Sequence, residues 1–441
     1  AQVFLRNYSD RDSIKEKPLM RCKLLLLLIA LAPVSVLAGD WPAWRGPTGH
    51  GISMEKKLPV EWDREKNVRW RVPLPDRGNS TPIIFGDRVF ITQAIEKEGW
   101  RGLMCFNRED GKLIWKTGVT YTEKEPTHGT NPYCSASPAT DGERVIASYG
   151  SAGLSCYDLE GKELWHRDLG PQLHIWGNAA SPVIYGDLCI LNVGPGERTF
   201  LIAMNKKTGE TVWQHDEPGG KSGEAGNTEW IGSWTTPIVV RAGGRDELVM
   251  SFPKRVVAFD PITGKELWTC SGLGALVYTS PLWSDPGDDG TGVIVAMSGF
   301  NGPALAVKHG GSGDVTATHR LWHTTRVKQR IGSGVIVGKH IYIHNDPGVA
   351  QCIELETGKI VWEERLKGEG KEVTSWSSMV LSENKLYSVN HAGDTFVLRA
   401  EPEFKLLSTN PLGERTLASH AVSNGDIFVR TYQALWCIRQ E

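Results

Sequence analysis

The sequence predicts an all-β protein, an eight-bladed β-propeller of four-stranded antiparallel blades. Three observations predict it. A phrase ending in tryptophan recurs five times, a strand–turn–strand phrase recurs eight times in alternation with it, and each end of the chain carries part of one blade. The 441-residue length alone would suggest about three domains, but a repeat of this kind builds one continuous architecture.

The first phrase reads CFNREDGKLIW (105–115), CYDLEGKELW (156–165), AMNKKTGETVW (203–213), AFDPITGKELW (258–268) and CIELETGKIVW (352–362). It is two strand ends around a tight turn. In the fourth copy Ala258-Phe259 ends one strand and Asp260 caps the turn by accepting backbone N–H groups. Gly264 supplies a positive φ at low cost, and Leu267-Trp268 begin the next strand. Cys105, Cys156 and Cys352 share a slot with Ala203 and Ala258, and Cys437 fits it too, so the slot is a small buried site. These four cysteines are expected to be core thiols, with Cys134, Cys189 and Cys270 undecided.

The second phrase is Ser/Thr-Pro, an apolar run, a turn with Gly and a charge, and a second apolar run. It appears at 79–92, 136–148, 180–193, 235–251 and 279–298, and without the proline at 332–345, 376–390 and 419–432. Runs of four to seven residues rich in Val and Ile, bounded by Gly, Pro, Asp or Asn, are strand and hairpin signals. Together the phrases give four antiparallel strands in about 50 residues, and such units arranged in a ring make a propeller. Trp70, in NVRWRVPL, precedes the first hairpin, while ALWCIRQE ends with no tryptophan strand after it. Residues 68–74 therefore supply the outer strand of blade eight and close the ring, leaving no open sheet junction. The outer turns of blades five and seven are degenerate, at 319–322 and 404–408.

The segment before the ring reads differently. Arg21 and Lys23 precede an apolar run from Leu24 to Val36 that ends in Val36-Leu37-Ala38, the pattern of a signal peptide over 20–38. The run is too short for a membrane span, which needs about 20 apolar residues. Met20 is the expected start, with residues 1–19 an upstream artefact, and 39–67 is a lead-in to the propeller at 68–441. Cleavage after Ala38 would remove six basic and three acidic residues and move the formal charge from -2 to -5. No cysteine follows the cut, so a lipid anchor is not expected. The expectation is an exported, periplasmic or extracellular monomer with no transmembrane segment. Its near-balanced charge gives no reason to expect a nucleic-acid partner.

The phrase Ala-x-Asp-x-x-Thr-Gly-x-x-x-Trp resembles the repeat of pyrroloquinoline quinone (PQQ) type propellers, over essentially all of residues 40–441. That family includes quinoprotein alcohol dehydrogenases and BamB outer-membrane assembly lipoproteins. DWPAWRGPTGHGIS (40–53) resembles the opening of planctomycete-type PQQ-repeat proteins. The resemblance implies an eight-bladed ring in which Trp115, Trp165, Trp213, Trp268 and Trp362, with Trp70 and Trp322, pack between blades. An indole in such a place buries a large apolar area and satisfies its single N–H locally.

The resemblance also raises PQQ with Ca²⁺ as a cofactor, and the residues give it little support. The chain has no Cys-Cys dipeptide and no Cys-x-x-Cys-His, and no calcium ligands can be matched to it residue by residue. GGKS (219–222) fails as a phosphate loop because His215 stands where its first glycine belongs. Neither His-Glu-x-x-His nor Gly-x-Ser-x-Gly occurs, and the histidines lack zinc spacing. Asp285–Asp289 reads as a solvated hairpin tip. No cofactor, metal or catalytic residue is assigned on these grounds.

Function is expected where the chain does not repeat, in the loops that follow each tryptophan strand. Trp176, Trp230, Trp234, Tyr278 and Trp376 lie there outside the repeat slot, beside Asn178, Glu229, Arg330 and His420. Loops on a rigid scaffold carry function, and pockets combine apolar walls with a few fixed polar groups. The same residues could instead plug the channel. The expectation is a binding or scaffold module for an unknown protein or small ligand. The alternative is a PQQ-type alcohol or sugar dehydrogenase with Trp176, Trp234 or Trp376 as stacking platforms and Glu229 as base. Sugar binding is a third possibility.

Overall fold

The computed structural model describes residues 39–220, 231–285, 292–328 and 331–440. The expected leader, Glu229, Trp230, Arg330 and most of the Asp285–Asp289 run lie outside them. The regular secondary structure of the described residues is almost all strand, with two three-residue 3-10 turns. Eight four-stranded antiparallel blades form an eight-bladed propeller. Blade one runs through Ile83–Phe85, Arg88–Ile95, Trp100–Asn107 and Leu113–Thr120. The inner strands of blades two to seven begin at Ala139, Val183, Ile238, Leu282, Val335 and Val380. Blade eight takes three strands from residues 421–438, and its fourth is Val68–Pro73, antiparallel to Ala434–Ile438 with Trp70 opposite Cys437.

The tryptophan phrase forms as its residues dictate. Asp260 Oδ1 accepts the N–H groups of Ile262 and Thr263 at 2.9 and 2.8 Å, and Gly264 takes φ +70°. The small slot has a direct cause, because its occupant is the cross-strand partner of the tryptophan. Cys105 faces Trp115, Cys156 faces Trp165, Ala203 faces Trp213 and Cys352 faces Trp362, each beside a β-bulge. A bulge bends its strand and re-aims the side chain, and the small partner leaves room for the indole. All seven described cysteines are free thiols and buried, which extends the core-thiol reading to Cys134, Cys189 and Cys270.

Each indole then reaches the next blade. Trp70 donates its N–H to the carbonyl of Arg108 (2.8 Å), Trp115 to Leu159 (3.1 Å), Trp165 to Lys206 (3.0 Å), Trp213 to Pro261 (3.1 Å) and Trp322 to Leu355 (2.8 Å). The five rings lie on Gly111, Gly161, Gly209, Gly264 and Gly358, where a Cβ would come within 2.5–2.8 Å or 2.9 Å of ring carbons. Two copies depart. Trp362 donates to Glu401 O at 3.3 Å and meets the edge of Phe404 where a turn glycine would sit. Trp268 is fully buried but donates to Glu247 of its own blade at 2.9 Å. Blade five lacks the Asp-to-Gly turn, and Gly313–Asp314 pair alongside Trp268 as an extra parallel strand.

A continuous ring of hydrogen bonds holds the inner strands together. Just before each inner strand stands one Ser or Thr, whose hydroxyl accepts the N–H of its counterpart in the preceding blade. The circuit runs Thr81 to Ser137, Ser181, Thr236, Ser280, Ser333, Ser378 and Ser419, and Ser419 N–H returns to Thr81 Oγ1. All eight distances fall between 2.8 and 3.1 Å. The seam of blades eight and one is further locked by Asp426, fully buried, which accepts from Arg108 at 3.0 Å and from Arg439 at 2.7 Å.

The lead-in segment crosses the face of the tight inner hairpins, opposite the long loops. Trp41 exchanges 2.9 Å backbone hydrogen bonds with Ile84 of blade one, and Ile52–Ser53 pair parallel with Leu381–Ser382 of blade seven. Between them Arg45, 2% exposed, donates to the carbonyls of Ser333 (3.1 Å) and Gly334 (2.6 Å) of blade six.

Two predictions test this architecture. Ser181→Ala removes one link of the ring and leaves the buried Ser137 N–H without an acceptor, so stability to denaturant should fall by about 1–3 kcal/mol, read from the unfolding midpoint. Acid should loosen the seams on either side of blade seven. His344 Nδ1 meets Ser388 Oγ at 2.8 Å and His420 Nε2 meets Thr395 Oγ1 at 3.0 Å. Burial lowers the two histidines from 6.5 to about 3 and about 4. The unfolded chain takes up these protons first, so stability is full above about pH 6.5 and is lost as pH falls toward 4. Thermal unfolding between pH 7 and pH 4 measures this, and His420→Gln should reduce the slope.

Candidate functional site

The long loops joining each outer strand to the next inner strand gather on one face and surround a cavity of about 310 Å³. The hydroxyl ring forms its waist, with Thr81, Ser137, Ser181, Thr236, Ser378 and Ser419 on the lining. Trp44, from the lead-in that crosses the opposite face, also lines it. The cavity is therefore a cup. Exposed His128 stands on its loop side and the lead-in lies toward its base.

One wall is a connected aromatic cluster. Trp176 and Trp234 have ring centroids 5.9 Å apart, Trp234 and Tyr278 4.7 Å, Tyr278 and Phe300 5.5 Å, and Phe300 and Trp176 5.5 Å. His174 backs the cluster with its ring edge-on to Trp234 at 5.1 Å. Its Nδ1 accepts the Trp176 N–H at 3.2 Å, which puts the ring proton on Nε2 in the neutral tautomer. Burial lowers this histidine from 6.5 to about 4, so the neutral form holds at neutral pH. Trp234 is 7% exposed and fixed by donating Nε1–H to Gly177 O at 2.7 Å. The wall is preformed, since its anchor is bonded to a neighbouring loop. Trp376 lines the cavity near Leu417 and packs edge-on to His391 at 5.0 Å.

The loops are pinned from behind. Asn131 Nδ2 donates to Trp176 O at 2.6 Å and Asn178 O at 3.3 Å, joining the loop after blade one to the loop after blade two. Asn79 Nδ2 donates to Thr130 O at 2.8 Å. Phe300 and Asn301 both have positive φ, +53° and +57°, an uncommon backbone for such residues that sets Phe300 against Trp176 and Tyr278.

Of the residues expected from sequence, Trp176, Trp234, Tyr278 and Trp376 come together on this cavity. Asn178 does not line it. Its side chain turns toward the Gly150 backbone and donates to Gln172 O at 3.4 Å. His420 does not line it either, because its ring is buried in the seam between blades seven and eight. Sequence reasoning missed the ring hydroxyls, Trp44, His174, Phe300, Asn79 and Asn131. A signal exists for the hydroxyls, since a Ser or Thr stands at the head of all eight hairpin phrases.

A quinone with calcium needs a set of oxygen ligands, six to eight in number. The described lining holds hydroxyls, amides and one histidine, and no carboxylate. Among the described residues no group of three or more His, Cys, Asp or Glu could hold a metal ion. The described donor set does not fit that cofactor with its metal. Nor is any helix among these residues long and apolar enough to cross a membrane.

Comparison with known proteins agrees with the geometry. The family described as outer membrane protein assembly factor BamB matches residues 101–364. A polyvinylalcohol dehydrogenase of Sphingopyxis sp. (strain 113P3) is 23% identical over an alignment of 281 residues that covers 56% of this chain and 41% of that protein. The chain thus spans less than half the length of that relative. Among solved structures, BamB from Moraxella catarrhalis superposes with a TM-score of 0.59 at 14% identity, over 84% of this chain and 97% of that one. The quinohemoprotein alcohol dehydrogenase of Comamonas testosteroni superposes with a TM-score of 0.67 at 12% identity, over 92% and 81%. At such identities the superpositions speak for the fold alone. With the match over 101–364 and the eightfold ring of tryptophan-ended blades, the chain belongs to the BamB-like family of PQQ-repeat β-propellers.

Proposed function

We propose that this protein is an exported, monomeric binding propeller that holds a small ligand in the cup between the aromatic wall and the hydroxyl ring. The observation that carries this reading is the preformed wall of Trp176, Trp234, Tyr278 and Phe300 above a polar waist. Rings already fixed by their own hydrogen bonds lose little freedom on binding, which favours affinity. The lining mixes apolar walls with a few placed polar groups, as small-molecule sites do.

A naphthalene amide, 2-naphthamide, serves as a neutral aromatic probe. It should quench the tryptophan fluorescence of the purified protein in a saturable way. Trp234→Ala should weaken it about 10-fold or more at an unchanged far-UV spectrum, the loss expected for an aromatic anchor. Quenching that never saturates, or that survives Trp234→Ala intact, would count against the cup.

A second reading has one observation in its favour, the similarity to a polyvinylalcohol dehydrogenase. In it the wall would stack a quinone and the protein would be an oxidoreductase. Purified protein incubated with PQQ and Ca²⁺ should then reduce a dye with alcohols or sugars, and on the binding reading it should not. Export is tested separately. Amino-terminal sequencing of the periplasmic or secreted protein should start at Gly39, and a mature chain retaining residues 20–38 would refute cleavage there.

A further inference from the structure

The eight hydroxyls of the ring have a property beyond holding blades together. Each oxygen accepts one backbone N–H, yet none of the eight hydroxyl protons finds an acceptor among the described residues. A hydroxyl oxygen has two lone pairs, so each of these groups keeps a proton to give and one lone pair with which to accept. Six of these groups line the cup, so its waist is a circle of donors facing the axis. The Trp376 Nε1–H, buried without a partner, adds another donor to the same lining. Against them stands one buried, unpartnered acceptor, Asn79 Oδ1.

Charge points the same way. Arg45 is bonded to the carbonyls of Ser333, a member of the ring, and Gly334 beside it. Its other donors go to Gly49 O and His50 O, and no carboxylate is paired with it. Burial lowers it from 12.5 to about 9, which leaves it cationic at neutral pH. The described lining has no carboxylate to offset it. Unengaged hydroxyl protons beside a buried cation, with no carboxylate on the described lining, favour a group that accepts hydrogen bonds and carries negative charge.

We infer that the cup takes a ligand with a flat apolar body and an oxyanion head, a carboxylate or sulfonate, with the head seated on the hydroxyl circle and the body against the Trp176–Trp234–Tyr278–Phe300 wall. This rests on the binding reading above and names the chemical class of the ligand.

The test is a set of near-isosteres on the intact protein: 2-naphthoate, naphthalene-2-sulfonate and the neutral 2-naphthamide, by calorimetry and tryptophan fluorescence. The two anions should bind about 10-fold or more tightly than the amide, the gain of charge-assisted hydrogen bonds. Thr236→Val, which keeps the side-chain shape and removes one hydroxyl proton together with the acceptor of the Ser181 N–H, should weaken the anions several-fold more than the amide. Arg45→Gln should narrow the preference further; if that variant does not fold, the isostere comparison on the unaltered protein decides. An amide that binds as tightly as the anions, or a Thr236→Val loss equal for all three probes, overturns the oxyanion head and leaves the cup standing. No saturable binding of any of the three overturns both.

Discussion

The structure depends on the closed circle of hydroxyl-to-amide hydrogen bonds at the axis. A propeller must bring eight separate sheets to a common centre, where inner strands are short and side chains crowd. Residues that are small, that accept a hydrogen bond and that tolerate the entry to a strand meet this demand, and Ser and Thr are such residues. Each link is a neutral hydrogen bond of modest net worth, about 1 kcal/mol. Its geometric effect is larger, because it fixes the distance from every blade to its neighbour. With the waist fixed, the loops above it start from defined points, and the aromatic wall can be rigid although it is built from four different loops.

Outside the waist a second system does the same work at larger radius. At five junctions the tryptophan of one blade lies on the turn glycine of the next and donates to a carbonyl there, so the blade carries the means of docking to its successor. The Cys or Ala opposite each indole belongs to this device. The junction between blades four and five uses a buried carboxylate, Glu247, and an added strand at Gly313–Asp314 in its place. The pattern can therefore be replaced locally without breaking the ring.

Much of this was legible in the sequence, because repetition exposes whatever is needed once per blade. The turn Asx residues, the turn glycines, the small slot and the closing strand at Val68–Pro73 all recur at fixed spacing, and each has a local physical cause. The site was legible only in part. Trp176, Trp234, Tyr278 and Trp376 stood out because blade packing did not require them. Phe300 and His174 gave no such sign, since one is set by a backbone bend and the other by the face its ring presents to Trp234. His420 and Asn178 shared sequence neighbourhood with the cup but face a seam and a backbone turn. A loop position shows that a residue is near a site; which way its side chain points depends on contacts far along the chain.

The strand that completes blade eight, Val68–Pro73, pairs with Ala434–Ile438 from the far end of the propeller sequence. Nearly the whole chain lies between the two halves of that sheet. Contacts this distant are slow to form, because the chain entropy of closing so long a loop must be overcome first. Until residues 434–438 are available, Val68–Pro73 has no partner strand and its edges are open to other chains. The latch that gives the finished ring no free end thus makes the nascent polypeptide dependent on being kept apart from its neighbours until its final strand arrives.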